Sequence, residues 1–173
     1  MAEYQVKSME SRTFRLLTEG AALGELHYTE WFSFKAVLTL ADGTSLRAEP
    51  KGFWGTTIEV KDQQASVLLS FKMHWNGNIV LKSRLGGEGR ALVLKNQSVL
   101  KNTYVLQDKH GQELLTIQPD FKWSNANYDY TISSTELFEN FEAKHLLLLT
   151  AIHCTNYYMT VSAGAVATMV AAT

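Results

Sequence analysis

The sequence predicts a mainly β fold: an antiparallel closed barrel of roughly ten to twelve strands around an apolar C-terminal helix. Three observations predict it. From about residue 12 to about residue 133, apolar and polar side chains alternate with the period of a half-buried strand. Turn-forming residues cut this stretch at short, fairly regular intervals, too short for the helical crossovers that parallel strands need. After Lys144 there is no Lys, Arg, Asp or Glu to the end of the sequence, and an all-round apolar helix must be buried somewhere.

The strands can be justified in order. Phe32, Phe34, Ala36, Leu38 and Leu40 alternate with Ser33, Lys35 and Thr39, with Val37 the exception. Between Ala65 and Trp75, Val67, Leu69, Phe71, Met73 and Trp75 share one face, and Ser66, Ser70, Lys72 and His74 the other. Tyr128, Tyr130 and Ile132 alternate with Asp129, Thr131 and Ser133. One wet and one dry face is the signature of an antiparallel sheet. Ala41-Asp42-Gly43, Asn76-Gly77-Asn78, Gly86-Gly87 and Lys109-His110-Gly111 supply residues that tolerate positive φ, as tight hairpins require.

Ser133 with Glu136 three residues later fits a capping box, so the core helix is expected over about residues 136–158. Glu136, Glu139 and Glu142 read as the solvated face of its first turns, favourable beside the helix dipole. Thr155 and Asn156 are expected to mark the end of the buried helix, with Val161–Val170 a separate strand or second helical piece. The uncharged run is about 28 residues, enough to span a bilayer, so a tail anchor is the rival reading. His153 and Asn156 lie in its middle, where hydrocarbon penalises them, and this favours burial within the barrel.

Length and composition bound the function. With 173 residues, 46% hydrophobic and 19% charged, residues 1–173 form one domain with one core. A net charge of −1 argues against a nucleic-acid partner. Cys154 is the single cysteine, which suits a reducing compartment. The first ten residues carry charges and no apolar h-region, so no secretory signal is expected and the location is expected to be cytoplasmic, including the periphery of a membrane.

The run Tyr104-Val105-Leu106-Gln107-Asp108, then Gly111, Leu114-Leu115-Thr116-Ile117, Phe121, Trp123, Tyr128-Asp129-Tyr130 and the apolar segment from His145 to Ile152 resembles the tubby C-terminal-like superfamily. That group includes phospholipid scramblases and LURP-one-related proteins. The resemblance covers about the last 75 residues. It implies a strand of the form Tyr-x-Val-x-Asp-x-x-Gly leading into a hairpin, and a terminal helix that threads the barrel. Glu142 supplies only loosely the acidic residue expected before that helix, and the tail after Tyr158 is longer than one helix needs. Tubby-type members bind phosphoinositide headgroups on a basic outer surface. The resemblance therefore makes Lys72, Lys82, Arg84 and Arg90 a candidate anionic headgroup patch, and an anionic lipid or membrane surface the expected partner.

No catalytic constellation emerges. The histidines His27, His74, His110, His145 and His153 lack metal-ligand spacing, and the nucleophile-elbow, P-loop and dinucleotide fingerprints are absent. Cys154 reads as a buried, inert thiol. Gly86-Gly87-Glu88-Gly89 reads as a hairpin, and Trp31, Trp54, Trp75 and Trp123 as core or barrel-rim packing. The chain is thus expected to be a non-catalytic binding or scaffold module with no cofactor and no metal. The alternatives are a small-ligand carrier of calycin type with an open interior, a tail-anchored β domain, or an enzyme built on a pocket such as His27, His74 and Glu25.

Overall fold

The computed structural model describes residues 1–52, 55–98 and 100–171, with side chains described as far as residue 164. Among the described residues twelve strands run in chain order: β1 (Ala2–Glu10), β2 (Thr13–Thr18), β3 (Ala21–Glu30), β4 (Lys35–Leu40), β5 (Ser45–Pro50), β6 (Thr57–Lys61), β7 (Val67–Met73), β8 (Ile79–Ser83), β9 (Arg90–Ser98), β10 (Thr103–Asp108), β11 (Glu113–Lys122) and β12 (Asn127–Ser134). Two helices follow, α1 (Glu136–Glu139) and α2 (Lys144–Ala171). Each strand pairs antiparallel with its sequence neighbours, and β1 pairs with β12, so the sheet closes with no free edge.

The turns explain the register. At the β4–β5 connection the Leu40 amide donates to the Thr44 carbonyl (2.8 Å) and the Gly43 amide to the Leu40 carbonyl (3.0 Å). The same pair of bonds recurs around Gly77 and Gly111, each glycine having φ above +80°. These are three-residue hairpins whose last residue sits in the left-handed region. The Asp42, Asn76 and Asp108 side chains brace them by accepting the amide two residues on. The Tyr104 to Ile117 motif accordingly forms the β10–β11 hairpin, with Tyr104 opposite Ile117.

The interior is filled by α2. Every residue from Leu146 to Asn156 is buried, on all faces of the helix. Its contacts circle the barrel: Leu149 lies beside Gly24 of β3, His153 beside Tyr28 of β3, Tyr157 beside Phe71 of β7 and Tyr158 beside Tyr104 of β10. Gly24 is a fitted position, because a Cβ there would lie 2.8 Å from the Thr39 carbonyl oxygen and 3.0 Å from Leu149 Cδ1. The space that a calycin keeps for a ligand is therefore occupied by protein.

Several expectations are corrected. The helix is not one piece over 136–158. α1 ends at Glu139, the chain breaks through Ala143 at φ +52°, and α2 then runs unbroken to Ala171, so Val161–Val170 continues it. Burial ends after Asn156 while the helix continues, and the Thr155 and Thr160 hydroxyls are satisfied on carbonyls four residues back. Ser133 belongs to β12, and the cap of α1 is Thr135, whose side chain accepts from the Phe138 amide. Glu139 is not on a solvated face. It accepts from Tyr4 Oη (2.9 Å), from Ser134 Oγ and from Lys144 Nζ (2.7 Å), tying β1, β12 and α2 together where the helix enters. Phe32 and Trp75 leave their predicted strand faces, since β4 begins at Lys35 and β7 ends at Met73. Trp31 is half-buried at the rim against Tyr28, with ring centroids 4.5 Å apart. Trp75 and Trp123 are exposed rather than packed in the core, and Trp54 lies outside the described residues.

Barrel closure at β1–β12 is finished by side chains. The backbone ladder stops at Val6 opposite Tyr130. Beyond it Asp129 accepts from the Ser8 amide (2.9 Å), Ser8 Oγ (3.0 Å) and Lys7 Nζ (3.2 Å), and the amides of Asn125 and Asn127 hold the carbonyls of Ser8, Glu10 and Ser11.

Candidate functional site

Two groups of polar residues merit attention, one inside the barrel and one outside. Inside, the Tyr130 hydroxyl donates to Asn156 Oδ1, Asn156 Nδ2 donates to Tyr28 Oη (3.1 Å), and Tyr28 Oη lies 2.6 Å from His153 Nδ1. Since Tyr28 Oη accepts from Asn156, its own proton is directed at His153 Nδ1, and the imidazole proton rests on Nε2. Nε2 is buried with no partner in hydrogen-bonding geometry. Burial holds the His153 pKa down at about 3, against a smaller opposing pull from the Phe34 backbone. Burial likewise pushes the Tyr28 and Tyr130 hydroxyls and the Cys154 thiol well up. At neutral pH every member is uncharged and sealed from water. The chain of bonds fixes the rotation and depth of α2 and leaves no room for a substrate.

Outside, the sequence-predicted patch is only partly assembled. Lys72 of β7 and Lys82 of β8 project from the same outer face, because Lys72 pairs with Val80 and Ser70 with Lys82. Both border a shallow depression of about 170 Å³ shared with Thr57, Ser70, His74 and Val80. Among the described residues neither lysine has an ion-pair partner. Arg84 is exposed but stands past the end of β8, in the connection to β9. Arg90 faces a different cleft, of about 270 Å³, with its guanidinium 4.5 Å above the Phe141 ring and 3.8 Å from Glu88. Strand alternation puts Lys72 and Lys82 on the outer faces of neighbouring strands, but Arg84, of the same parity as Lys82, falls past the end of β8. It could not show that the α1–α2 link carries Phe141 to Arg90.

Other candidates disperse. His27 Nδ1 meets Thr13 Oγ1 at 2.8 Å on the outer face, Glu25 pairs with Arg15 at 3.3 Å, and His74 lies four strands away beyond β7, so His27, His74 and Glu25 line no common pocket. Gly86 and Gly87 sit in a short 3-10 turn (Leu85–Gly87). Among the described residues no three His, Cys, Asp or Glu side chains are grouped to hold a metal ion, and no helix is long and apolar enough to cross a membrane. Compared with known proteins, the chain matches no family model, no curated protein and no solved structure.

Proposed function

We propose that the chain is a non-catalytic barrel of the tubby-like kind that binds anionic lipid headgroups at a membrane surface, with the outer face of β7 and β8 as its contact. The observation that carries this reading is the filled interior. With α2 buried on all sides from Leu146 to Asn156, binding falls to the outer surface. There Lys72 and Lys82 flank a depression sized for a small anionic group. The resemblance of the Tyr104 to Ile117 hairpin and the terminal helix to the tubby superfamily supports the same choice. The reading includes peripheral attachment from the cytoplasmic side and excludes nucleic acid as the partner.

Flotation with phosphatidylcholine vesicles doped with a phosphoinositide tests it. The wild-type chain is expected to float with doped vesicles. The Lys72→Ala/Lys82→Ala variant should bind about thirtyfold more weakly, each basic residue near an anionic surface being worth about 1 kcal/mol. Equal flotation of variant and wild type would contradict the proposed contact.

A further inference from the structure

An up-and-down barrel places alternate connections at opposite ends. One end carries the β1–β2, β3–β4, β5–β6, β7–β8, β9–β10 and β11–β12 connections. α2 emerges at this end, since Tyr157 lies against Phe34 and Tyr158 against Tyr104 and the Gly77 turn, at the matching strand ends. The large apolar side chains that the fold leaves bare are concentrated here. Phe32 is 92% exposed, Trp75 98%, Leu100 99% and Trp123 89%, each in a different connection of this end. Phe121, at the foot of the Trp123 connection, packs edge-on against that indole at 4.9 Å.

Charge divides the same way. The connections at the helix-exit end contain Arg12, Lys51 and Lys101 and no Asp or Glu. Lys51 reaches Glu59 at 3.5 Å yet remains largely exposed. The connections at the opposite end contain Glu19, Asp42, Asp62 and Glu88 beside Arg84 and Lys109, with Glu142 in the α1–α2 link, and no exposed tryptophan or phenylalanine tip. α2 leaves the barrel at the cationic end and runs about 16 Å further as helix from Val161 to Ala171, a stretch whose sequence holds no Lys, Arg, Asp or Glu.

Resting on the membrane reading above, we infer that the helix-exit end of the barrel docks onto a phospholipid bilayer, with Phe32, Trp75, Leu100 and Trp123 inserted among the headgroups. Tryptophan and phenylalanine favour this boundary, where an apolar ring and a polar rim are satisfied together. The occupant follows from the chemistry of the tips. They sit in separate connections whose own charges are all cationic, with Glu10 and Glu30 at the adjoining strand ends, and that cationic set complements an anionic lipid surface. Lys72, one residue before the end of β7 and close to the Trp75 hairpin, then lies nearest the headgroups, and the acidic end of the barrel points away.

The test uses the full chain with vesicles of phosphatidylcholine alone and of phosphatidylcholine with phosphatidylserine, some carrying brominated acyl chains. Wild type is expected to co-sediment with the serine-containing vesicles, and brominated chains should quench its tryptophan fluorescence. Trp75→Ser/Trp123→Ser should keep its circular dichroism and unfolding midpoint, since both tips are exposed, and bind about tenfold more weakly or worse. Lys109→Ser, at the opposite end, should bind as wild type does. Tip-dependent binding to neutral vesicles as tight as to anionic ones would retain this docking end and overturn the headgroup reading alone. Binding lost in Lys72→Ala/Lys82→Ala but untouched in the tryptophan variant would retain the headgroup reading and overturn this one. Absence of vesicle binding overturns the inference. So does a wild-type dimer that the tryptophan variant converts to monomer without any vesicle binding, which would make this end a contact between two copies.

Discussion

His153 is the residue whose setting has the clearest measurable consequence. It is buried, hydrogen-bonded through Nδ1 to Tyr28, and kept neutral down to about pH 3. In an unfolded chain it takes up a proton near pH 6.5. Because its folded pKa is depressed, its contribution to stability is complete above about pH 6.5 and is lost as pH falls from there towards 3, at about 1.4 kcal/mol per pH unit. Between about pH 7 and pH 5 wild type should lose about 2 kcal/mol more stability than His153→Gln, read from urea unfolding midpoints. Parallel losses in the two proteins would mean that His153 is not held neutral. Asp129 and Glu139 act lower on the scale. Burial raises each carboxyl, and hydrogen bonds more than offset it: from Ser8 and Lys7 for Asp129, and from Lys144, Ser134 and Tyr4 for Glu139. Both fall below the ordinary range, so their contributions fade only as pH drops further, equally in variant and wild type.

At the scale of elements, α2 is the piece on which the rest depends. Leu148→Asp would place a charge against the interior of a closed barrel, with Leu148 fully buried between Leu147 and Leu149. The cost should exceed about 4 kcal/mol, most of the stability of an ordinary domain, so the variant should lack a cooperative urea transition. A soluble, cooperatively folding Leu148→Asp protein would contradict burial of that face. The helix was legible in the sequence because eleven successive buried positions leave no place for a charge. Its boundaries were not. Uncharged sequence continues past the point where burial stops, and the Ser133–Glu136 spacing imitates a cap that Thr135 supplies. The strand alternation was legible in the middles of β4, β7 and β12 and failed at their ends. A three-residue hairpin turns its tip residues off the sheet face, which is why Trp75 continues the parity of Phe71 and Met73 on paper but stands in solvent.

For the whole molecule, closure was readable from the density of amphipathic strands and from the need to bury an all-apolar helix, which are two halves of one packing problem. The outer patch was half readable. Lys72 and Lys82 follow from strand parity, whereas Arg90 is drawn to Phe141 by a link whose path no local pattern encodes. The aromatic end follows from topology. Only once β1 is paired with β12 and the connections are sorted by end do Phe32, Trp75, Leu100 and Trp123 fall on one side with the exit of α2. Everything rests on α2 filling the barrel, and Cys154 reports on it directly, being the single cysteine, fully buried within the enclosed stretch and two residues before burial ends. The measurement is the rate of thiol labelling of native protein by a water-soluble disulfide reagent across a urea series. Protection in native buffer, with labelling appearing only as the barrel unfolds, is the result this structure requires. Fast, stoichiometric labelling of the folded protein without urea would mean that α2 does not occupy the interior.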